Sequence, residues 1–307
     1  MDVDAGIDDA LAIIFASRTP ELHLRAITTV SGNVHVDKTS MNVLKVLDVL
    51  GSPLIPVAKG MAKPLLRELE TAEDFHGRDG LGDSGIPAPT LQLDRRHAVD
   101  LLIQETSSAP KQVTIIATAP LTNVAAAILR DPDFATNVKD LMLMGGAYNL
   151  TLYGYGNVNP SAEFNIYTDP EAARIVFKSR IPVTAVGVDV TTDPTATLTR
   201  ELYRKFSEGE TRLARFGTLI TEKAMKKYGF FHLHDPITVA IAADSTLTST
   251  KKYHVDVETI GNLTRGQTVA DRRNYLPEGF YQKPNASICT SIDGERFLRM
   301  FLERFVS

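Results

Sequence analysis

Apolar residues along this chain follow two alternating patterns. Short apolar runs with strand-type composition predict strands, and longer segments with an apolar residue at every third or fourth position predict helices. In chain order, the predicted elements are a strand at 22–30, a helix at 37–50, a strand at 113–117, a helix at 121–129, a strand at 141–144, a helix at 170–177 and a strand at 183–188. This alternation is typical of a parallel sheet whose strands are joined by helices.

The last part of the chain changes character. Residues 200–244 are mainly helical in pattern, residues 253–260 predict another strand, and residues 294–305 predict a closing helix. Neither a linker nor a repeat of roughly 20 to 50 residues is evident. We therefore predict one domain over residues 1–307, of the α/β class, with a mostly parallel, Rossmann-like central sheet flanked by helices and with helical additions near its active face.

Composition excludes several functional classes. The 33 lysines and arginines are scattered and the net charge is -4, so we expect no nucleic-acid partner. Apolar runs such as 10–16 are much shorter than the roughly 20 residues that cross a bilayer, and the first residues lack the basic segment of an export signal. Cys289 is the only cysteine, which rules out an intrachain disulfide and a cysteine-based zinc site. These features predict a cytoplasmic protein with no membrane partner.

Acidic residues crowd the N-terminus. Asp2, Asp4, Asp8 and Asp9 lie within eight positions and precede a segment with the apolar spacing of a buried helix. Helix capping explains one or two aspartates, because they accept hydrogen bonds from free backbone N–H groups. Four carboxylates repel one another strongly unless protons or a cation neutralise them. The cluster therefore predicts a hard divalent cation, Ca²⁺ or Mg²⁺, at the carboxyl end of a strand.

The same segment carries a family resemblance. Residues 2–10, D-V-D-A-G-I-D-D-A, resemble the D-x-D-P-G-x-D-D-A signature of the inosine-uridine nucleoside hydrolases. Further matching motifs follow in the family's order: SGNV at 31–34, HGRDGLG at 76–82, APLTN at 119–123, MGGA at 144–147, GN at 156–157, AEFNI at 162–166 and HDP at 234–236. The resemblance covers residues 2 to about 239. It implies the nucleoside hydrolase fold and hydrolysis of the N-glycosidic bond of ribonucleosides to free base and ribose.

The resemblance also implies a metal site. In the family pattern, Ca²⁺ would be bound by the side chains of Asp4, Asp9 and Asp235 and by the backbone carbonyl of Thr122. The ion would hold the ribose hydroxyls and a water molecule and would lower the pKa of that water. Asp4 is then the expected general base.

Further residues are implied as contacts of the substrate. These are Asp8, Asn33, His76, Met144, Asn157, Glu163, Phe164 and Asn165. Carboxylate and amide oxygens among them would stabilise the positive charge that builds on the ribosyl ring. His234 is the candidate acid for the departing base, since a histidine is suited to proton transfer near neutral pH. A histidine alone is more often a core residue, as we expect for His232, but His234 adjoins Asp235.

Two departures from the family pattern bear on the substrate and the metal. Only Met1 precedes Asp2, so the first strand is short or the start site is misassigned, and Ala5 stands where the family usually has proline. The purine-specific branch of the family stacks the base between tryptophans, and this chain has none. We therefore expect uridine as the first substrate, with inosine or cytidine also accepted. Aromatic residues Tyr228, Phe230 and Phe231 are candidates for the base pocket, although aromatic residues near a helix end more often belong to the core. The resemblance further implies a homo-oligomer, a dimer or tetramer.

Two other interpretations compete with the hydrolase. A haloacid dehalogenase-like phosphatase also uses a D-x-D pair after its first strand, but that family expects a threonine or valine two residues beyond the second aspartate and a later lysine motif, whereas this chain has Ala5 and Gly6 followed by Asp8 and Asp9. A catalytically silent nucleoside- or calcium-binding module would keep the pocket without turnover. The presence of Asp4, Asp9, His234 and Asp235 together argues against such a decayed site.

Overall fold

The computed structural model describes residues 1–52, 54–275, 277 and 279–306. Its strands are β1 Asp2–Val3, β2 Ile27–Thr29, β3 Val57–Lys59, β4 Thr114–Ala117, β5 Asp140–Met144, β6 Val183–Val186, β7 Thr197–Thr199, β8 Phe230–His232, β9 Thr250–Tyr253, β10 Val255–Val257, β11 Thr268–Ala270 and β12 Ala286–Cys289. Its helices are α1 Ile7–Ser17, α2 Val36–Leu50, α3 Glu73–His76, α4 Ala98–Ser108, α5 Thr122–Arg130, α6 Phe134–Asn137, α7 Phe164–Thr168, α8 Pro170–Lys178, α9 Val188–Thr191, α10 Arg200–Ser207, α11 Arg212–Tyr228, α12 His234–Ala243 and α13 Gly294–Val306.

Eight of these strands form one central sheet. Their order is β3-β2-β1-β4-β5-β6-β12-β9, and each neighbouring pair is parallel except β12 with β9 at one edge. The remaining strands form two antiparallel pairs, β7 with β8 and β10 with β11. The predicted α/β class and its mostly parallel sheet are therefore confirmed.

The strand order reverses at β1. The chain adds β2 and β3 on one side of β1 and then returns to add β4 and β5 on the other side. Asp2 pairs with Thr28 of β2 and with Ala117 of β4, so the segments that follow these three strands leave the same edge of the sheet. In open α/β sheets, the crevice at such a reversal is where ligands bind.

Helices cover both faces of the sheet and bury separate apolar cores. On one face α1 packs against α12, and every residue of α1 from Ile7 to Ala16 is buried. On the other face α5 packs against α8 and α4. Among the described residues, no helix combines the length and the apolar character needed to span a membrane. The burial of α1 fixes the acidic turn that precedes it.

Most predicted elements agree with the structure to within two residues at each end, but two strands were predicted wrongly. The predicted strand at 22–30 is limited to Ile27–Thr29, because β1 offers β2 a partner only from Asp2 onwards. The predicted strand at 253–260 is limited to β10 Val255–Val257, which pairs with β11 outside the central sheet, whereas β9 of the central sheet ends at Tyr253. Helix α4 and strands β3 and β12 were not predicted.

Phenylalanine rings pack together between α13 and its neighbours, so the replacement of a central ring by alanine should lower stability strongly. The ring of Phe301 is fully buried and lies 4.7 to 6.1 Å, between centroids, from the rings of Phe15, Phe206, Phe297 and Phe305. Phe301→Ala should lower the free energy of unfolding by about 3 to 5 kcal/mol, because it removes these contacts and leaves a cavity.

Urea denaturation monitored by circular dichroism measures this loss. The control is Leu129→Ala on α5, whose side chain is 66% exposed and which should change the free energy of unfolding by less than about 0.5 kcal/mol. A loss below about 1 kcal/mol for Phe301→Ala would contradict the ring packing.

Candidate active site

Four buried aspartates meet at the carboxyl edge of the sheet. Asp4, Asp8 and Asp9 lie in the turn after β1 and in the first turn of α1, and Asp235 lies in the first turn of α12. Asp8, Asp9 and Asp235 each offer a carboxylate oxygen within 4.8 Å of the others. The close packing of α1 against α12 therefore brings together carboxylates that are far apart in the sequence.

The hydrogen bonds of these aspartates are incomplete. Asp4 Oδ2 accepts from the backbone N–H of Asn33 at 2.7 Å, and Asp9 Oδ2 accepts from the Gly6 N–H at 3.0 Å and from Asn33 Nδ2 at 3.2 Å. Asp4 Oδ1 and Asp8 Oδ1 are buried and accept no hydrogen bond from the described residues. Two carboxylate oxygens thus remain available to a ligand.

Burial raises the pKa of all four carboxyl groups. Removal from water is the largest cause at each, and repulsion from neighbouring carboxylates adds to it at Asp4, Asp8 and Asp235. The pKa of Asp8 is raised to about 8. At neutral pH the cluster needs protons or a cation, and oxygen donors of this kind suit a hard divalent ion. The residues present therefore fit a metal ion.

Asp2 has a different role from the other N-terminal aspartates. Its Oδ1 accepts hydrogen bonds from Thr28 Oγ1 at 2.6 Å and from Asn123 Nδ2 at 2.8 Å. Asn123 also donates to the carbonyl of Thr29. Asp2 therefore ties β1 to β2 and α5, and it supports the site without belonging to the acidic cluster of Asp4, Asp8, Asp9 and Asp235.

The two threonines after β4 have different partners. Thr122 was predicted to supply a metal-binding carbonyl, but it begins α5 and its hydroxyl donates to Asp169 at 2.7 Å. Thr118, which the sequence analysis did not select, donates its hydroxyl to Asp9 Oδ1 at 2.7 Å, and its carbonyl accepts from Asn165 Nδ2 at 3.2 Å. The structure therefore places Thr118 at the aspartates.

The segment 163–165 lies beside the acidic cluster. Glu163 caps α7 by accepting from the N–H groups of Asn165 at 2.8 Å and Ile166 at 3.2 Å, and it also accepts from Gly146 N–H at 2.9 Å. Asn165 Nδ2 donates to the carbonyls of Thr118 and Met144. Burial raises the pKa of Glu163, whose charge in turn raises the pKa of Asp8. These contacts bring the predicted substrate residues Met144, Glu163 and Asn165 to the aspartates.

Two other predicted substrate residues lie on the adjoining loop. Asn157 Oδ1 accepts from the backbone N–H of Phe164 at 2.9 Å. The side chain of Phe164 is partly exposed at the start of α7. The loop before α7 is thus held by a side-chain contact that also fixes the first residue of this helix.

Two histidines of the site are neutral at neutral pH. His76 Nδ1 accepts from the backbone N–H of Ile7 at 3.1 Å and lies 3.8 Å from Asp8 Oδ1. Burial lowers the pKa of His76 to about 3, and burial together with the neighbouring His232 and His76 lowers the pKa of His234 to about 3. Each ring therefore carries one N–H donor and one acceptor nitrogen.

Aromatic rings extend from His76 towards solvent. The ring of Phe75 stacks on Tyr228 at 5.6 Å and on Phe231 at 5.8 Å, and it meets the ring of His76 edge-on at 5.0 Å. Phe75 and Tyr228 are 38% and 41% exposed, whereas Phe231 is buried and belongs to the core. Phe75 was not predicted from the sequence, because a single aromatic residue in a helix as short as α3 has no distinctive pattern.

The backbone passes close to the aspartates at glycine. A Cβ atom on Gly32 would lie 2.0 Å from Asp4 Oδ2, and one on Gly6 would lie 2.5 Å from His76 Nδ1. The neighbouring Ala5, which replaces the family's proline, is held by a hydrogen bond from Asn42 Nδ2 to its carbonyl at 3.1 Å. Gly6, in the turn between β1 and α1, and Gly32, in the segment after β2, therefore leave no space for a side chain.

Comparison with known proteins agrees with this geometry. The family model described as inosine-uridine preferring nucleoside hydrolase matches residues 1–299 of the chain. The chain belongs to this family. As a nucleoside hydrolase, it hydrolyses the N-glycosidic bond of ribonucleosides, which are small-molecule substrates.

Relatives of this nucleoside hydrolase carry different substrate descriptions. The chain is 39% identical to the pyrimidine-specific ribonucleoside hydrolase RihA of Salmonella arizonae, covering 99% of this chain and 96% of that protein. It is 40% identical to the inosine-uridine preferring nucleoside hydrolase of Leishmania major, covering 97% and 93%. A solved plant nucleoside hydrolase, PpNRh1, matches with a TM-score of 0.91 at 33% identity over 100% and 98% of the two chains.

The raised pKa values predict how the metal-free hydrolase responds to pH. Carboxyl groups whose folded pKa exceeds the unfolded value of about 4 stabilise the fold when protonated, and this stability is lost as pH rises towards about 8, the pKa of Asp8. The chelated protein should therefore be more stable at pH 5.5 than at pH 8, by on the order of 2 kcal/mol. Added Ca²⁺ should restore the stability at pH 8.

Thermal unfolding in chelator at both pH values measures the effect. Asp8→Asn removes one of the titrating groups, so its unfolding temperature should depend less on pH. A melting temperature of the chelated wild type that rises between pH 5.5 and pH 8 would contradict this account of the acidic cluster.

Proposed function

We propose that this nucleoside hydrolase is Ca²⁺-dependent and prefers pyrimidine ribonucleosides, with uridine as its first substrate and with inosine and cytidine also accepted. The observation that carries the proposal is the buried acidic cluster with two carboxylate oxygens, on Asp4 and Asp8, that have no partner among the described residues. A cation neutralises this cluster better than protons do, because all four carboxyl groups lie within one small site.

Asp4, Asp9 and Asp235 are the proposed side-chain ligands of the ion. We assign the backbone ligand to the carbonyl of Thr118 in place of Thr122, because the Thr118 hydroxyl binds Asp9 and its carbonyl accepts from Asn165. Bound there, Ca²⁺ would supply positive charge that lowers the pKa of a water molecule and orients the ribose hydroxyls.

Asp4 is the proposed general base. Its Oδ2 is occupied by the Asn33 N–H, so its unpartnered Oδ1 is the atom that takes the proton of the attacking water. Burial raises the proton affinity of this carboxyl group, which suits a base. The water then attacks C1′ of the ribose as the N-glycosidic bond breaks.

The ribosyl ring gains positive charge in this step, and the acidic side of the pocket is arranged to stabilise it. Asp8, Asn33, Glu163 and Asn165 are the proposed partners of the ribose hydroxyls, with Met144 and Asn157 completing the sugar pocket. Their interactions strengthen as charge builds on the ring, which lowers the barrier more than it tightens ground-state binding. The unpartnered Oδ1 of Asp8 is the acceptor that we assign to a ribose hydroxyl.

His234 is the proposed group that assists departure of the base. The electron pair of the broken bond moves onto the base, and the N–H of the neutral His234 ring donates a hydrogen bond to the negative charge that results. His76, Phe164, Phe75 and Tyr228 are the proposed walls for the base. Two observations support a pyrimidine preference, namely the absence of tryptophan from the chain and the pyrimidine-specific description of its relative in Salmonella arizonae.

We also propose that the protein is a homo-oligomer, a dimer or tetramer. Three large apolar side chains are strongly exposed near one another in the fold: Leu66, Ile260 and Leu263. The loops that carry them are joined by the Arg67 guanidinium, which donates to the carbonyl of Thr259. Contact with a second copy would remove this apolar surface from water.

The proposed function is tested by comparing the release of nucleobase by the wild type and by Asp4→Asn. Uridine, inosine, cytidine and 2′-deoxyuridine are incubated with Ca²⁺ or with chelator, and free base and reducing ribose are measured. The wild type should release base most rapidly from uridine and very slowly from 2′-deoxyuridine, because the 2′-hydroxyl contacts are missing. Asp4→Asn should lower kcat about 10²- to 10⁴-fold, because the general base that deprotonates the attacking water is lost.

Asp2→Asn is the matched control, since it changes the same charge two residues away but outside the acidic cluster. It should keep kcat within about 10-fold of the wild type, well above Asp4→Asn. Metal-loaded, folded protein that binds uridine without releasing base would overturn the proposal in favour of a silent nucleoside-binding module. Full activity in chelator would overturn the metal requirement alone.

A further inference from the structure

A short helix behind the site carries a threonine that contacts His234. Thr191 ends α9, is fully buried, and places its Oγ1 2.8 Å from His234 Nδ1. His234 is the first residue of α12, directly before the metal-site residue Asp235. The contact thus joins α9 to the end of α12 that faces the substrate.

The other hydrogen bonds of Thr191 bear on which atom is the donor in its contact with His234. The backbone N–H of Thr191 donates to the Gly187 carbonyl, and among the described residues its hydroxyl has no hydrogen bond other than that to His234. A buried hydroxyl donates its proton wherever an acceptor is available, and a neutral imidazole has one acceptor nitrogen. The 2.8 Å contact fits a hydroxyl that donates to Nδ1, an arrangement that would place the ring proton on Nε2.

We propose that Thr191 is a positioning residue that holds His234 with its Nε2–H directed to the departing base. The proposal rests on the proposed role of His234 and adds the group that sets the tautomer and the orientation of its ring. Without the hydroxyl, the proton can sit on either ring nitrogen and the ring can rotate about its side-chain bonds. Only one of these arrangements offers Nε2–H to the substrate.

The position of α9 is itself fixed by the loop after β5. Asp189 lies in α9, like Thr191, and is buried. Its carboxylate accepts from the backbone N–H groups of Tyr148 at 2.8 Å and Leu150 at 2.7 Å. The N–H of Val188 donates to the Gly146 carbonyl at 2.9 Å. The N–H of Gly146 also donates to Glu163. The loop after β5 therefore contacts both α9, which carries Thr191, and Glu163 on the proposed ribose side of the pocket.

The chain offers a matched pair for comparison. Thr197 Oγ1 lies 3.0 Å from His232 Nδ1, and the His232 ring lies 5.5 Å from that of His234. This second threonine–histidine contact joins the same two atom types and lies next to the first, but the Thr197 hydroxyl also donates to the Asp193 carbonyl at 3.0 Å. We assign no role to His232, so the loss of its hydroxyl partner should not affect the reaction.

The experiment compares two leaving groups across four variants. Thr191→Val, Thr191→Ser, Thr197→Val and His234→Ala are assayed in the presence of Ca²⁺ with uridine and with p-nitrophenyl β-D-ribofuranoside, whose phenolate departs without help from an acid. Thr191→Val should lower kcat for uridine about 10- to 100-fold, a part of the full effect of acid catalysis. It should leave the KM for uridine and the kcat for the p-nitrophenyl riboside within about 2-fold. Thr191→Ser, which keeps the hydroxyl, and Thr197→Val should both resemble the wild type with either substrate.

A structural readout accompanies the kinetics. Nitrogen-15 NMR of histidine-labelled protein reports which ring nitrogen carries the proton. His234 should be the Nε2–H form in the wild type and in Thr191→Ser, and a mixture in Thr191→Val. Thr191→Ala, which removes the hydroxyl and leaves more space, replaces Thr191→Val if that variant unfolds.

Each other result has a distinct meaning. Equal losses with both substrates, or no loss with either, in Thr191→Val would overturn the positioning role of Thr191. If His234→Ala also affects both substrates equally, the proposed role of His234 itself fails, and with it this part of the proposed function. If His234→Ala is selective for uridine but Thr191→Val is not, the inference about Thr191 fails alone.

Discussion

Repulsion among buried carboxylates is the constraint around which this structure is organised. Asp4, Asp8, Asp9 and Asp235 lie out of water within one small site, and burial and repulsion together raise their pKa values. Donors such as the N–H groups of Gly6 and Asn33 offset only part of this cost. The packing of the rest of the protein, including the buried helix α1 against α12, offsets the remaining cost. The free energy of unfolding therefore depends on whether protons or a cation neutralise the four carboxylates.

The topology explains why this charge can be concentrated in one place. The strand order reverses at β1, so that the segments after β1, β2 and β4 meet at one edge of the sheet. Asp4, Asp8 and Asp9 come from the first of these segments, Asn33 from the second and Thr118 from the third, and α12 adds Asp235. Asp2 holds the three together through Thr28 and Asn123. A two-residue strand suffices at the centre of the sheet because its neighbours and this buried network determine its register.

Sequence alone predicted the acidic turn, the fold class and most of the helices, because these depend on local spacing and on motifs. It could not separate Thr118 from Thr122, since both are threonines shortly after β4 and only the pairing of Ala117 with Asp2 brings Thr118 to Asp9. Likewise, the apolar run at 253–260 does not reveal that its strand, Val255–Val257, pairs with β11 outside the central sheet. Phe75 and Thr191 act through contacts with residues distant in the sequence, which no periodicity records.

The lack of space for a Cβ atom at Gly6 and Gly32 means that the two ends of the pocket differ in how well they tolerate substitutions. Around Asp4 and His76 there is no space for even a methyl group, so drift at either glycine would displace a side chain on which the reaction depends. The aromatic wall of Phe75 and Tyr228, by contrast, is partly open to solvent. Substitutions in this proposed wall can therefore change the preferred base while the proposed ribose contacts are kept, which agrees with relatives described as pyrimidine-specific and as inosine-uridine preferring.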